Sequence, residues 1–145
     1  MQAKNVCYGS KDDKYGEFNI SMDGRLTGIK LVHVSGGTKC CIDCAISTFG
    51  CNYPDFIGLT TVTITAADKS ERLMPHPGTV DDTKCCFELP GYDGSSDEII
   101  FADYNIPVTK GKLLKIWYIE DLIDLQEVDN DGVHCVDVFA MFEEE

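Results

Sequence analysis

Residues 133–142 read VHCVDVFAMF, and apolar side chains alternate with other residues along this stretch. One apolar set is Val133 and Cys135, and the second holds every other residue from Val136 to Phe142. Alternation with a period of two is typical of a β-strand with one buried face. The change of phase between the two sets predicts a β-bulge at that point. The stretch is therefore predicted to be the last strand of a β-sheet protein.

Short runs of the same kind recur upstream. They lie between turn residues, and no stretch keeps the i, i+3, i+4, i+7 repeat of an amphipathic helix. Residues 59–66 alternate with Thr, which predicts a strand with one solvent-facing side. Asp121 is a candidate cap for one helical turn over residues 122–127. The predicted upstream strands are 26–34, 59–66, 85–89, 98–101 and 113–118, with 105–108 as an edge strand or loop because of Pro107.

Six to eight short strands separated by turns predict an all-β fold, namely an antiparallel β-sandwich. The chain has 145 residues, of which 43% are apolar and 26% are charged. These values are typical of one folded domain. We therefore expect a single extracellular β-sandwich domain over residues 1–145. No apolar run is long enough to span a membrane as a helix.

The charge of the chain limits its partners. Twelve basic and 25 acidic residues give a net charge of −13. Nucleic acids and anionic lipid surfaces require a basic face, so the charge argues against both. The acids are unevenly placed, because residues 120–145 carry ten of them and no Lys or Arg. Such a segment attracts cations.

The cysteines indicate the compartment. Cys41 and Cys44 have the CxxC spacing of half a zinc site, but no matching second half follows. An even, high count with adjacent pairs favours disulfides in a secreted protein over zinc or redox chemistry in a cytosolic one. The sequence leaves the pairing open. The expected disulfide cysteines are all eight in the chain: Cys7, Cys40, Cys41, Cys44, Cys51, Cys85, Cys86 and Cys135.

Two features of the N-terminal region bear on secretion. Asn19, Ile20 and Ser21 form an N-glycosylation triplet, a pattern that also arises often by chance. The first residues lack the apolar segment of a signal peptide. We expect a mature secreted chain with an added start Met.

Residues 120–132 read EDLIDLQEVDNDG and hold six carboxylates without a base. Unpaired, these groups repel one another. Calcium removes that repulsion, because it binds six to eight oxygen ligands from carboxylates, Asn side chains and carbonyls. Residues 129–132 form the kind of oxygen-rich turn that can wrap such an ion, although the EF-hand spacing is not met. The alternative is a solvated acidic loop that only aids solubility.

Trp117 and Tyr118 lead directly into this acidic segment. In a strand the two side chains face opposite sides, so one is expected in the core and the other beside the acids. An aromatic ring next to calcium can pack on the apolar C–H face of galactose. The alternative is that both rings are buried. Tyr53 and His76, in the loops 48–56 and 74–82, complete the sugar-binding candidates.

Catalysis finds little support in the sequence. No GxSxG nucleophile motif and no phosphate-binding GxxxxGK[ST] motif is present. His33, His76 and His134 are scattered, and a catalytic histidine needs a placed partner. The carboxylates crowd into one segment, which suits an ion site better than the fixed pair of a glycosidase. We therefore expect a protein that is not an enzyme.

Five stretches carry a resemblance to a known family. They read LVHVSG at 31–36, GCNY at 50–53, FELPGY at 87–92, GKLLKIWYIEDL at 111–122 and DNDGVHCVDVFA at 129–140. Together they resemble a signature of secreted modules of sea anemones, corals and hydra, over most of the chain from about residue 28. The function connected with such chains is that of a calcium-dependent, galactose-binding lectin acting as a homodimer. The chain departs from the pattern at Ile119, where Gly is expected, and in its cysteine cluster at 40–44.

The resemblance implies a site and a partner. The partner is a glycan with terminal galactose, and the chain is expected to bind it as a homodimer.

 The implied calcium ligands are Glu120, Asp121, Glu127, Asp129, Asn130 and Asp131.

Two alternatives to the lectin hypothesis stay open at this point. One is a non-enzymatic module of an extracellular matrix, in which the acids bind calcium without any sugar. The other is a small secreted toxin or defence protein, although the negative charge argues against an anionic membrane as its target.

Overall fold

The computed structural model describes residues 3–9, 14–39, 44, 46–50, 58–68, 70–75, 86–118 and 132–143. These residues form β-strands and no helix, so none of them offers a helix that could cross a membrane. In chain order the strands are β1 (Ala3–Gly9), β2 (Gly16–Asn19), β3 (Gly24–Gly36), β4 (Val62–Ala66), β5 (Arg72–Met74), β6 (Glu98–Phe101), β7 (Ile106–Val108), β8 (Leu113–Tyr118) and β9 (Val133–Phe142).

The strands form two antiparallel sheets. The first sheet has the order β1-β9-β3-β6, with β7 also paired to β3. The second sheet has the order β2-β8-β4-β5. One hydrophobic core draws on both sheets, with Leu31 and Val138 from the first and Ile64 and Ile116 from the second. The predicted all-β antiparallel sandwich is confirmed.

The core follows the period of two along each strand. In β8, Leu114, Ile116 and Tyr118 belong to the core, while Lys115 and Trp117 lie on the opposite face of the second sheet. Successive strand residues point to opposite faces, which explains this division. Each fully buried aliphatic or aromatic side chain contributes about 1.5–3 kcal/mol relative to its exposed state.

Strand β9 corrects one prediction. His134, Val136 and Val138 are buried in a regular alternation, so β9 has no bulge between Cys135 and Val136. Val133 is instead 50% exposed. The prediction put Val133 and Cys135 on the inward side of β9 because both are apolar. The inward position is instead that of His134, which lies between them. The irregularities of register lie in the partner strands β1 and β3.

Other predicted strands meet mixed outcomes. The bounds of β6, β8 and β9 are confirmed, while β3 extends beyond the predicted 26–34 at both ends. The predicted strand 59–66 begins only at Val62, and its Thr side is buried rather than solvent-facing. The predicted strand 85–89 is wrong for its described part, where Phe87 and Leu89 form only isolated bridges. The predicted turn 122–127 lies outside the described residues.

Disulfides are confirmed where the structure describes the cysteines. Cys7 and Cys135 are bonded across the neighbouring strands β1 and β9, on residues directly paired in the sheet. Cys44 and Cys86 are also disulfide-bonded. The remaining predicted disulfide cysteines, Cys40, Cys41, Cys51 and Cys85, lie outside the described residues.

The bond between Cys7 and Cys135 spans a sequence separation of 128 residues. Replacing both by Ser should lower the free energy of unfolding by about 2–5 kcal/mol, because the unfolded chain regains the entropy that a long closed loop removes. Urea denaturation measures this loss. Val133→Thr, an exposed change in the same strand, should stay within about 0.5 kcal/mol of the unchanged protein. A double variant that unfolds at the original urea concentration would contradict the expectation.

Candidate functional site

The acidic segment is bounded by two described flanks. Strand β8 ends at Tyr118, and β9 begins at Val133 directly after Gly132. The described residues contain no group of three or more His, Cys, Asp or Glu side chains that could hold a metal ion. The calcium hypothesis therefore depends on the acidic segment itself. The predicted residues outside the described part of the chain are Glu120, Asp121, Glu127, Asp129, Asn130, Asp131, Tyr53 and His76.

Gly132 fixes the second flank. Its φ is +98°, a left-handed conformation that favours glycine. A Cβ built on Gly132 would lie only 2.4 Å from the carbonyl oxygen of Gly37. The neighbouring backbone is joined by a hydrogen bond of 3.0 Å from the Gly37 N–H to the Val133 carbonyl. Only a residue without a side chain fits between these two strand ends, so the acidic segment returns to the first sheet at a defined position.

Trp117 and Tyr118 face opposite sides of the second sheet, as the strand period predicts. Tyr118 belongs to the core and is fully buried. Trp117 lies on the outer face, where it pairs with Thr63 of β4, yet it is only 2% exposed. Of the two alternatives from the sequence, the structure thus shows the one in which both rings are buried. The sugar-binding role predicted for them stays a prediction.

The surroundings of Trp117 hold its ring in place. Its Nε1–H donates a hydrogen bond of 3.1 Å to the Thr65 hydroxyl. The ring of Tyr15 packs on Trp117 with 4.8 Å between ring centroids. The Lys115 ammonium lies 4.0 Å from the centroid of the Tyr15 ring, within the range of a cation–π contact. Tyr15 is itself 37% exposed. The outer face therefore presents Tyr15, not Trp117, to solvent.

A buried row of hydrogen-bonded side chains, formed by Tyr8, His134 and His33, lies next to the start of β9. His134 is fully buried and its two ring nitrogens both have partners. Nδ1 lies 2.9 Å from the Tyr8 hydroxyl, and Nε2 lies 2.8 Å from Nδ1 of His33. The ring of Phe49 packs edge-on against His134 at 4.9 Å between centroids. The fold thus joins two histidines that are 101 residues apart in sequence.

Burial determines the protonation states of His134 and Tyr8. Burial, and to a smaller extent the nearby His33, together lower the pKa of His134 to about 3. Burial also raises the pKa of the Tyr8 hydroxyl above its usual value. At neutral pH His134 is uncharged, so one ring nitrogen donates a hydrogen bond and the other accepts one. With no solvent-exposed surface, His134 has a structural role and cannot contact a substrate directly.

The sequence analysis did not predict the buried row of Tyr8, His134 and His33. Val136 and Val138 point inward, and extending their period of two by one more step reaches His134. That signal was outweighed by the apolar neighbours Val133 and Cys135. The contact between Tyr15 and Trp117 was also missed, because it depends on the register of β2 against β8.

Gly132 and Gly111 differ in how closely other atoms surround them. Gly111 has a similar φ of +92°, but no atom lies within 4 Å of a Cβ built there. Gly111→Ala should cost only the left-handed backbone, about 1–2 kcal/mol. Gly132→Ala should cost more, because the Gly37 backbone must also move. Urea denaturation of both variants measures the difference, and equal losses would show that Gly132 is not closely packed.

The pKa of His134 leads to a dependence of stability on pH. An unfolded histidine has a pKa of about 6.5, so the unfolded chain takes up a proton below that pH while folded His134 does not. Stability should therefore fall as the pH drops from about 6.5 towards 3, by about 1.4 kcal/mol for each pH unit.

His134→Gln removes this titration. Between pH 7 and pH 4.5 the unchanged protein should lose about 2–3 kcal/mol more stability than the variant, as measured by urea denaturation at each pH. The quantity to compare is the slope of stability against pH, because the variant also changes the hydrogen bonds to Tyr8 and His33 and so shifts the stability at every pH. Parallel pH profiles would contradict the assignment.

Comparisons with known proteins bear on the whole chain. No protein-family model and no curated protein matches it. Among solved structures, it matches AJLec from the sea anemone Anthopleura japonica with a TM-score of 0.82 and 29% sequence identity. The match covers 99% of this chain and 95% of that one. In sequence and fold the chain is thus similar, over nearly its whole length, to a sea-anemone lectin, which confirms the resemblance seen in the sequence.

Proposed function

We propose that the protein is a calcium-dependent lectin that binds terminal galactose and has no enzymatic activity. The observation that carries the proposal is the match to a sea-anemone lectin over 99% of the chain. A match of this extent includes the two strands that flank the acidic segment. It supports carbohydrate binding as the function, while galactose and calcium come from the sequence of residues 120–132 and from the family resemblance.

The donor chemistry of the acidic segment fits calcium. Residues 120–132 offer six carboxylates and the Asn130 side chain, with no base among them to neutralise the charge. Calcium prefers such oxygen ligands, and millimolar extracellular calcium can fill even a weak site. Bound there, calcium would supply coordination positions to two vicinal sugar hydroxyls, and these hydroxyls would donate hydrogen bonds to the neighbouring carboxylates.

The described residues on the two sides of the acidic segment are held in place by the fold. Gly132 is held against Gly37, and Tyr118 is anchored in the core. A binding loop with fixed ends loses less conformational entropy when it closes around a ligand. The described residues that bound the segment, Tyr118 and Gly132, therefore need little reorganisation for binding.

A secreted homodimer completes the proposal. Sugar sites of this kind are shallow and wet, so a single galactose binds weakly. Two sites on one dimer raise the effective affinity for a surface carrying many glycans, without any new contact.

A second candidate is an extracellular matrix module with a structural calcium site. The burial of both Trp117 and Tyr118 favours it, because neither ring offers a face to a sugar. A chain that calcium stabilises against heat, but that binds no glycan, would be this module.

Retention on galactose-agarose tests the lectin proposal. The protein should be retained in calcium and released by a chelator. Asp129→Ala and Asn130→Ala should each abolish retention while the circular dichroism spectrum stays that of a β-protein, because each removes an oxygen ligand. Asp68→Ala is the matched control, since Asp68 lies between β4 and β5, at the end of the second sheet opposite Tyr118. Retention in excess chelator would overturn the calcium mechanism.

A further inference from the structure

The N-glycosylation triplet of Asn19, Ile20 and Ser21 has no role in the proposed sugar site. Its middle residue is not Pro, as the motif requires. Asn19 is the only Asn of the chain that is followed two residues later by Ser or Thr. A glycan is bulky and needs a place on the protein surface, so the fold decides whether such a triplet can carry one.

The fold turns the Asn19 side chain towards solvent. Phe18 and Ile20 belong to the core, where they are 4% and 1% exposed. Successive residues of an extended strand face opposite sides, so Asn19 lies on the outer face of the second sheet. Asn19 and Ser21 are both exposed. A glycan on Asn19 therefore extends into solvent and displaces no core side chain.

Main-chain hydrogen bonds hold the backbone around the triplet. Asn19 pairs with Leu113 at the end of β2. The Ile20 N–H donates a hydrogen bond of 2.9 Å to the Lys112 carbonyl, and the Gly111 N–H donates one of 2.8 Å to the Ile20 carbonyl. These bonds and the buried Ile20 side chain fix the strand end. Attachment of a sugar to the side-chain amide of Asn19 leaves all of them intact.

The position of Asn19 is also distant from the proposed sugar site. Asn19 pairs with Leu113, the first residue of β8, whereas the acidic segment comes after Tyr118, the last residue of β8. Five steps of extended strand separate Leu113 from Tyr118, a distance of about 17 Å. A glycan on Asn19 is therefore attached at the opposite end of the strand from the end that leads into the acidic segment.

We infer that Asn19 carries an N-linked glycan when the chain is secreted. The inference rests on the secreted state in the proposed function, and galactose binding is not required for it. The side-chain amide nitrogen of Asn19 bonds to the anomeric carbon of a lipid-linked oligosaccharide diphosphate. The bond from that carbon to the diphosphate oxygen breaks, the lipid diphosphate leaves with the electron pair, and the amide proton passes to a base of the transferase. Ser21 supplies the hydroxyl that the motif requires.

Secretion of the full chain from cultured mammalian cells, behind a cleavable leader, tests the site. The intact mass of the translocated protein should exceed that of its polypeptide by one oligosaccharide. Peptide N-glycosidase should remove this excess and convert Asn19 to Asp. Asn19→Gln should remove the excess completely because it removes the acceptor, and Ser21→Ala should do so although Asn19 remains.

Asn105→Gln is the matched control. Asn105 is also exposed and also precedes an Ile, but Pro107 stands at the position that Ser21 occupies in the triplet. The Asn105 variant should therefore keep the full excess mass. Thermal unfolding of each variant verifies that the fold is retained.

The outcomes separate the glycan from the lectin function. Loss of the excess mass in Asn19→Gln and Ser21→Ala, but not in Asn105→Gln, supports the assignment. A translocated unchanged protein with the mass of its bare polypeptide overturns it, and so does excess mass that survives in Asn19→Gln. Retention on galactose-agarose in calcium should be the same for Asn19→Gln and the unchanged protein. Absence of retention in both would overturn the lectin proposal and leave the glycan assignment standing.

Discussion

The antiparallel pairing of β9 between β1 and β3 is the constraint on which the rest of the structure depends. It places the last strand of the chain in the interior of the first sheet, so its phase decides which residues enter the core. That phase turns His134 inward towards Tyr8 and His33, and it turns Cys135 outward towards Cys7. The same pairing brings Gly132 against Gly37 and so fixes where the acidic segment ends.

The fold class was predictable because alternation with a period of two is a local signal. It placed β6, β8 and β9 at their observed bounds. It failed where burial depends on distant partners. The Tyr8 hydroxyl, 126 residues away, satisfies one nitrogen of buried His134, and no local pattern reports such a contact. Thr63 and Thr65 are likewise buried on a strand side whose polarity predicts exposure to solvent.

The candidate site was predictable in part. The period of two correctly put Trp117 and Tyr118 on opposite faces of the second sheet. It could not show that the outer face is covered at Trp117 and open at Tyr15, because that depends on the register of β2. The oxygen-rich composition of residues 120–132 remains the basis of the calcium hypothesis, with described strand ends on both sides of it.

The central claim is that carbohydrate binds at the end of the second sheet where β8 leads into the acidic segment. Trp117 is the only tryptophan in the chain, so its fluorescence reports on this end alone. Titration with lactose in calcium should produce a saturable change in its emission, and cellobiose or excess chelator should produce none. Retention of the protein on galactose without any lactose-dependent change in Trp117 emission would place the sugar site elsewhere and contradict the account.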